Sequence, residues 1–210
     1  FFVFGGYNYT ILLISLFIPY TVKLLIIDNY DSFTHNLAHY LEASHCEVDV
    51  CRVDLAPVAP WDSYEAMVLS PGPGLPEESP SLMRIIAESF GKMPILGVCL
   101  GLQGLAQFSG ARLYNLKDVK HGLQREVLHN ENGLFYGVSN PTKVGLYHSW
   151  AVEESSLSKG WKVVAKSTEG VVMAIEDLEH QVCAVQFHPE SILSPEGRRI
   201  LNNWLNQYVK

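Results

Sequence analysis

The chain has 210 residues, of which 48% are hydrophobic and 18% charged, a composition typical of a globular protein with one sizeable core. Its formal net charge of −7, without a cluster of Lys or Arg, argues against a nucleic-acid surface. The four cysteines have neither CxxC nor zinc-finger spacing. We therefore expect free thiols in a reducing cytoplasm, no metal site and no cofactor.

The first 22 residues are more apolar and aromatic than the rest of the chain. The segment is too short for a good membrane span and is interrupted by Pro19. It has neither the basic start nor the small-residue cleavage site of a signal peptide. We predict a non-native or disordered extension over residues 1–22, with translated upstream sequence before Val22, and a single domain over residues 23–210. A membrane-associating extension is the alternative.

Strands and helices alternate along the first half of the domain. Continuous apolar runs predict buried strands at 23–27, 47–53, 64–69 and 94–98. Apolar residues at helical spacing predict three helices. The first begins after Asp31 or Ser32 as its N-cap and ends near Ser44, and the other two lie at 80–90 and 100–108. This alternation predicts an α/β fold with a doubly wound, mostly parallel sheet and helices on both faces, as in flavodoxin.

The pattern changes after Ala111. Short β-rich pieces separated by Gly, Asn, Pro and Ser predict a small antiparallel extension near 124–128, 143–147, 161–167 and 171–176. A strand at 182–187 follows. Pro195 opens the last predicted helix, which turns its apolar side chains inward: Ile200, Leu201, Trp204 and Leu205.

Cys99 lies between the predicted strand at 94–98 and the predicted helix at 100–108. It is flanked by Gly97 and Gly101, and glycines permit the sharp turn that places a nucleophile between a strand and a helix. The start of the helix favours the thiolate form of a cysteine beside it. The alternative is a small, buried and unreactive cysteine.

Two other segments complement a reactive cysteine. His188 and Glu190, on either side of Pro189, follow an apolar run, and they could serve as a general base and the group that orients it. The Gly/Pro-rich loop at 70–76 could present backbone N–H groups to an oxyanion. The alternatives are a surface histidine and a plain turn.

Together these segments resemble the class I (triad) glutamine amidotransferases. The resemblance covers residues 23 to about 208, and its motifs are LLIIDNYDSFT at 24–34, SPGPG at 70–74, GVCLGLQ at 97–103, YHSW at 147–150 and QFHPES at 186–191. Within that family, the motifs DNYDSFT and SPGPG resemble those of the glutaminase subunits that serve chorismate-using synthases. These synthases make anthranilate or aminodeoxychorismate.

The resemblance implies a catalytic triad of Cys99, His188 and Glu190 that hydrolyses L-glutamine. It implies that the oxyanion and the glutamine are bound by Gly72, Pro73, Gly74, Leu100, Gln103, Ser149 and Trp150. It also implies a heteromeric complex with a large chorismate-binding synthase subunit that receives the ammonia, and neither nucleic acid nor membrane as a partner. Residues 29–34 and 121–125 are predicted to contribute to that interface.

Three departures from the family pattern leave the identity of the synthase open. Leu123 stands where the family often has lysine, Leu146 where it often has arginine, and Trp150 where it often has leucine. Anthranilate synthesis is the first expectation and aminodeoxychorismate synthesis the alternative. The rival functions are a non-catalytic flavodoxin-like binding module, another amidotransferase branch and a cysteine hydrolase on the same scaffold.

Overall fold

The computed structural model describes residues 21–56 and 61–209, apart from the side chains of 118–120. The predicted extension lies outside this part of the chain except for Thr21 and Val22. The strands are β1 (Lys23–Asp28), β2 (Glu47–Arg52), β3 (Ala66–Leu69), β4 (Ile95–Val98), β5 (Leu113–His129), β6 (Thr142–Val152), β7 (Lys162–Ser167), β8 (Val172–Asp177) and β9 (Val182–Val185). The helices are α1 (Thr34–Glu42), α2 (Pro80–Ser89), α3 (Leu100–Phe108) and α4 (Gly197–Trp204), which continues into a π-helical turn at Leu205–Val209.

These strands form one sheet in the order β2-β1-β3-β4-β9-β8-β7-β5-β6. The first five are parallel and have the strand order of flavodoxin-like folds, which confirms the predicted α/β fold. The sheet is nevertheless mixed, because β8, β7, β5 and β6 continue it in antiparallel pairs. This antiparallel part is larger than predicted: β5 has 17 residues and β6 has 11. The length of β5 could not be predicted, because its bulges interrupt the alternation of inward and outward side chains that marks a strand in the sequence.

Helices cover both faces of the parallel strands, as predicted. Successive side chains of a strand point to opposite faces, so Leu24 and Ile26 pack with α1 and α4, whereas Leu25 and Ile27 pack with α2 and α3. All four side chains are fully buried. Burial on both faces explains why these strands read as continuous apolar runs.

The ends of two helices differ from the prediction. Neither Asp31 nor Ser32 is the N-cap of α1; the cap position is Phe33, without a side-chain cap, and its backbone N–H donates to Asp31 Oδ2 at 2.6 Å. The last helix begins at Gly197, two residues after Pro195, and its four predicted core side chains are buried. Within the described ranges, no helix combines the length and apolar character needed to cross a bilayer.

The carboxyl ends of the parallel strands lie at the same edge of the sheet. β1 leads to Asn29, β3 to the loop at 70–74, β4 to Cys99 and β9 to His188. Ligand sites in such sheets lie beyond this edge. The fold therefore places these four segments at one end of the molecule.

Candidate active site

Cys99 occupies a strained turn between β4 and α3. Its φ of 53° and ψ of −101° lie in a region that non-glycine residues rarely adopt. The Cys99 N–H donates to the Val185 carbonyl at 2.8 Å, which ties the turn to β9. A Cβ on Gly101 would overlap the carbonyl oxygen of Leu69, and one on Gly97 would lie 2.8 Å from the Gly101 backbone. Both flanking glycines are thus required for the close packing around the cysteine.

His188 is held between Cys99 and Glu190. Its Nδ1 lies 2.7 Å from Glu190 Oε1, and Cys99 lies close enough to interact electrostatically with the ring, whose buried Nε2 forms no well-aligned hydrogen bond among the described residues. Both His188 and Glu190 are only 2% exposed. The backbone of His188 is fixed by its N–H, which donates to Gly145 at 3.0 Å, and by its carbonyl, which accepts from Ser194 Oγ at 2.6 Å. The structure thus brings the three predicted triad residues together.

Two aromatic rings enclose the imidazole of His188. The Tyr147 ring centroid lies 4.8 Å from it and the Phe33 centroid 5.7 Å, both edge-on. The Tyr147 hydroxyl lies 3.1 Å from Ser191 Oγ, which belongs to the turn after His188. Phe33 belongs to the DNYDSFT motif, so that motif contributes a wall of the histidine site.

The protonation of His188 is set by opposing effects. Burial lowers the pKa of its imidazole, but hydrogen bonds and charge interactions with Cys99 and Glu190 outweigh it, and the pKa is raised from 6.5 to about 10. The ring therefore carries its proton at neutral pH. Burial also raises the pKa of Asp31, against the lowering effects of the Phe33 N–H and of His188.

This raised pKa predicts a loss of stability in alkaline solution. The folded state binds the His188 proton more tightly than the unfolded chain does, so the stabilisation is complete below pH 6.5 and is lost as the pH rises through about 10. We expect the free energy of unfolding to fall across this window. Urea denaturation at a series of pH values measures it, with the double variant His188→Gln, Glu190→Gln as control. An equal decline in the double variant would contradict the assignment.

The loop after β3 lies against the start of α3. A Cβ on Gly72 would come within 2.6 Å of the Asn29 backbone oxygen and 2.8 Å of Leu100 Cδ2, so only glycine fits this contact. Asn29 holds the loop: its N–H donates to Ser70 Oγ at 2.8 Å and its Nδ2 to the Ser70 carbonyl at 2.9 Å. The first N–H groups of a helix have no acceptor within it. The two predicted oxyanion donors, Gly72 and Leu100, are therefore neighbours.

The other predicted binding residues fall into two groups. Pro73 and Gly74 are exposed on the loop, and Pro73 and Leu100 line a cavity of about 280 Å³. Gln103, by contrast, is buried, and its Nε2 donates to the Trp150 carbonyl at 3.0 Å. Ser149 and Trp150 are half-buried on β6. Gln103 is thus neither an ordinary surface amide nor part of the exposed loop.

Several residues around the site were not assigned a role from the sequence. Gln186 is fully buried, and its Nε2 points to Cys99 Sγ at 3.6 Å. Gly197 packs against the backbone of Pro189, which lies between His188 and Glu190. The sequence did hint at a special role for Gln186, because it is a polar residue in a run predicted as an apolar strand. It gave no hint of a role for Gly197, because the contact of Gly197 joins the start of a helix to a turn distant in sequence.

This arrangement combines a cysteine at a strained turn, a protonated histidine, a buried carboxylate and a pair of helix-start and loop N–H groups. Such a set can form and cleave an acyl–sulfur bond while stabilising a tetrahedral oxyanion.

Comparisons with known proteins agree over nearly the whole domain. Residues 25–208 match the family described as glutamine amidotransferase class-I. A glutamine amidotransferase of known structure from Thermotoga maritima has the same fold, with a TM-score of 0.68 at 20% identity, covering 90% of this chain and 83% of that chain.

Three relatives are similar in sequence. The bifunctional protein TrpGD of Thermotoga maritima is 40% identical over 188 residues, which cover 88% of this chain and 32% of that protein. Aminodeoxychorismate synthase component 2 of Escherichia coli is 41% identical over 186 residues, covering 88% of this chain and 100% of that protein. Anthranilate synthase component 2 of Pseudomonas aeruginosa is 40% identical over 191 residues, covering 88% and 95%. The chain spans about a third of the first relative and nearly all of the other two, and with the family match over residues 25–208 it belongs to the class I glutamine amidotransferases.

Proposed function

We propose that this chain hydrolyses L-glutamine with Cys99 as nucleophile and delivers the ammonia to a separate chorismate-using synthase. The observation that carries the proposal is the buried His188, which interacts with Cys99 and lies 2.7 Å from Glu190. A nucleophile, a base and a group that orients the base, in this order, form the arrangement that catalyses acyl transfer on several unrelated folds.

The reaction proceeds through a glutamyl thioester. The Cys99 sulfur bonds to the side-chain carbonyl carbon of glutamine while the proton resides on His188. The C–N bond then breaks, and His188 gives its proton to the leaving nitrogen, which departs as ammonia. Water, deprotonated by His188, cleaves the thioester and releases glutamate, and the sulfur regains its original state. Glu190 orients the imidazole and stabilises its positive charge.

The backbone N–H groups of Gly72 and Leu100 stabilise the tetrahedral oxyanion. Loss of one such donor typically slows a reaction by about 10²–10³-fold. Gln103 contacts the bound glutamine, and Ser149 and the backbone of Trp150 bind its α-amino and carboxylate groups. The contact of Gln103 with the Trp150 carbonyl supports this part of the proposal, since it joins two of the binding residues directly.

We propose anthranilate synthesis as the pathway, with aminodeoxychorismate synthesis as the alternative. The relatives named component 2 serve both kinds of synthase at 40% and 41% identity, so the partner must be identified by experiment. Ammonia released into water is rapidly protonated, so the site must open towards the subunit that uses it. The four free cysteines suit a reducing, cytoplasmic location.

The proposal is tested by measuring glutamate release from glutamine by the purified protein. The assay is run with the protein by itself and with each candidate synthase subunit, in the presence of chorismate. We expect release to rise with one synthase, which identifies the pathway. A folded protein that releases no glutamate with either synthase would contradict the proposal and favour a non-catalytic binding module.

Ile192 is expected to contact the synthase. It is 91% exposed and follows the triad by two residues, in a turn fixed by the bond from Leu193 N to Ser191 Oγ at 3.2 Å. An exposed apolar side chain close to the proposed site of ammonia release is suited to anchor a partner. We expect Ile192→Asp to weaken the complex at least about 10-fold.

The affinity is measured by titration calorimetry with the synthase. The matched control is Leu178→Asp. Leu178 is 54% exposed in the turn between β8 and β9, at the end of the strands opposite the candidate site. Equal affinities for the two variants would contradict the assignment of this surface.

A further inference from the structure

A chain of buried hydrogen bonds joins strand β6 to the sulfur of Cys99. Gln103 Nε2 donates to the Trp150 carbonyl at 3.0 Å and to Gln186 Oε1 at 3.2 Å. Gln186 Nε2 in turn donates to Cys99 Sγ at 3.6 Å. Gln103 is 3% exposed and Gln186 is fully buried. The chain therefore runs through the interior, shielded from solvent.

The donor and the acceptor of each hydrogen bond in this chain can be assigned by starting from the Trp150 carbonyl. A carbonyl oxygen only accepts, so the Gln103 atom that faces Trp150 must be nitrogen. That same nitrogen reaches Gln186, which must therefore present its oxygen to Gln103. The remaining Gln186 atom, which faces the sulfur, is then the NH₂ group. The Trp150 carbonyl thus determines that Cys99 faces a donor and not an acceptor.

The backbone supports the same arrangement. The Cys99 N–H donates to the carbonyl of Val185, the residue before Gln186, at 2.8 Å, and the Gln103 N–H donates to the Cys99 carbonyl at 3.1 Å. The Gln186 N–H is bonded to Met173 in β8 at 2.8 Å. The two glutamines and the cysteine therefore form one rigid unit.

We propose that Gln186 is a positioning residue for the nucleophile: its amide donates to the Cys99 sulfur, stabilises its negative charge and aims it, and Gln103 orients that amide. The inference rests on the proposed function and extends it, since Gln103 is also a proposed glutamine-binding residue.

A donor to an anionic sulfur favours the thiolate over the thiol. Replacement of Gln186 by methionine keeps a long side chain in the site but removes the donor. We expect the pH midpoint for alkylation of Cys99 by iodoacetamide to rise by about one unit. We expect kcat for glutamate release to fall about 10- to 100-fold, because the sulfur is then neither stabilised nor aimed by the amide.

The experiment follows alkylation of Cys99 by mass spectrometry across a range of pH values. It compares the unchanged protein with Gln186→Met and Gln186→Leu. Both variants remove the donor without adding a charge, so the leucine variant carries the test if the methionine variant does not fold. Gln207→Met is the matched control, because Gln207 is exposed on the C-terminal turn and donates to Gly133. All variants keep His188, whose charge also acts on the cysteine.

A midpoint that rises in both Gln186 variants and not in Gln207→Met supports the inference. Midpoints within error of the unchanged protein in both Gln186 variants would overturn it and leave Gln186 as a space-filling residue. Alkylation does not require glutamine turnover, so this result is independent of the proposed function. An absence of glutamate release contradicts the function but leaves the alkylation test valid.

Discussion

A Cys99→Ala variant is expected to release glutamate at least about 10⁴-fold more slowly than the unchanged protein, because no other group can form the thioester. Cys99 is only 6% exposed, and alanine is small enough to replace it without a clash. The variant should therefore remain folded, with a similar unfolding transition. Steady-state glutamate release, measured with the synthase present, gives the rate.

Cys51→Ala is the matched control, because Cys51 is a half-buried cysteine on β2, outside the candidate site. We expect its rate to equal that of the unchanged protein. If Cys99→Ala retained more than about a tenth of the activity, another nucleophile would have to act, and the triad assignment would be wrong.

A Gly197→Ala variant is expected to lose both stability and activity. A Cβ at Gly197 would overlap the Pro189 carbonyl oxygen and lie 2.6 Å from its carbon and 2.9 Å from its Cα. Pro189 connects His188 to Glu190, so the backbone cannot yield without moving the triad. We expect a destabilisation of about 3 kcal/mol, the upper range for overpacking, and a loss of about 10²-fold in glutamate release, the cost of a small misplacement of catalytic groups.

Chemical denaturation and the glutamate assay measure the two effects. Gly160→Ala is the control, because a Cβ there would meet only a side chain, with Asp177 Oδ2 at 2.9 Å. A Gly197→Ala protein with the stability and the rate of the control would contradict the idea that α4 holds the triad turn in place.

The turn at Cys99 and the parallel half of the sheet could be predicted because their sequence patterns are local. Because β1 and β4 are buried on both faces, their sequences are continuous apolar runs. The glycines beside Cys99 indicate a turn with no space for a side chain. The boundaries of α3, at Leu100 and Phe108, agree with the prediction for the same reason.

The antiparallel half was less predictable. β5 carries bulges near His121, and its partners in β6 lie between 15 residues (Val127 and Thr142) and 39 residues (Leu113 and Val152) further along the chain. The cap of α1 was misassigned because the side chain of Asp31 bonds Phe33 N–H and is enclosed near His188 instead of capping the helix. The antiparallel pairing thus depends on contacts distant in sequence, whereas at α1 the Asp31 side chain forms a local turn with Phe33 ahead of the helix.

The roles of Gln186 and Gly197 lie further beyond sequence reasoning. Gln186 acquires its direction from Trp150 through Gln103, a chain that crosses β6, α3 and the end of β9. Gly197 matters through one backbone contact with Pro189. Such effects depend on which elements meet in space, and a local pattern does not contain that information.

The most direct test of the central claim is to react the protein with a thiol-directed glutamine analogue and locate the adduct by peptide mass spectrometry. We expect one adduct, on Cys99. Excess glutamine should suppress it, and the Cys51→Ala variant should form it to the same extent as the unchanged protein. The buried Cys46 and Cys183 should remain unmodified. An adduct on another cysteine, or labelling of Cys99 that glutamine does not suppress, would contradict the account.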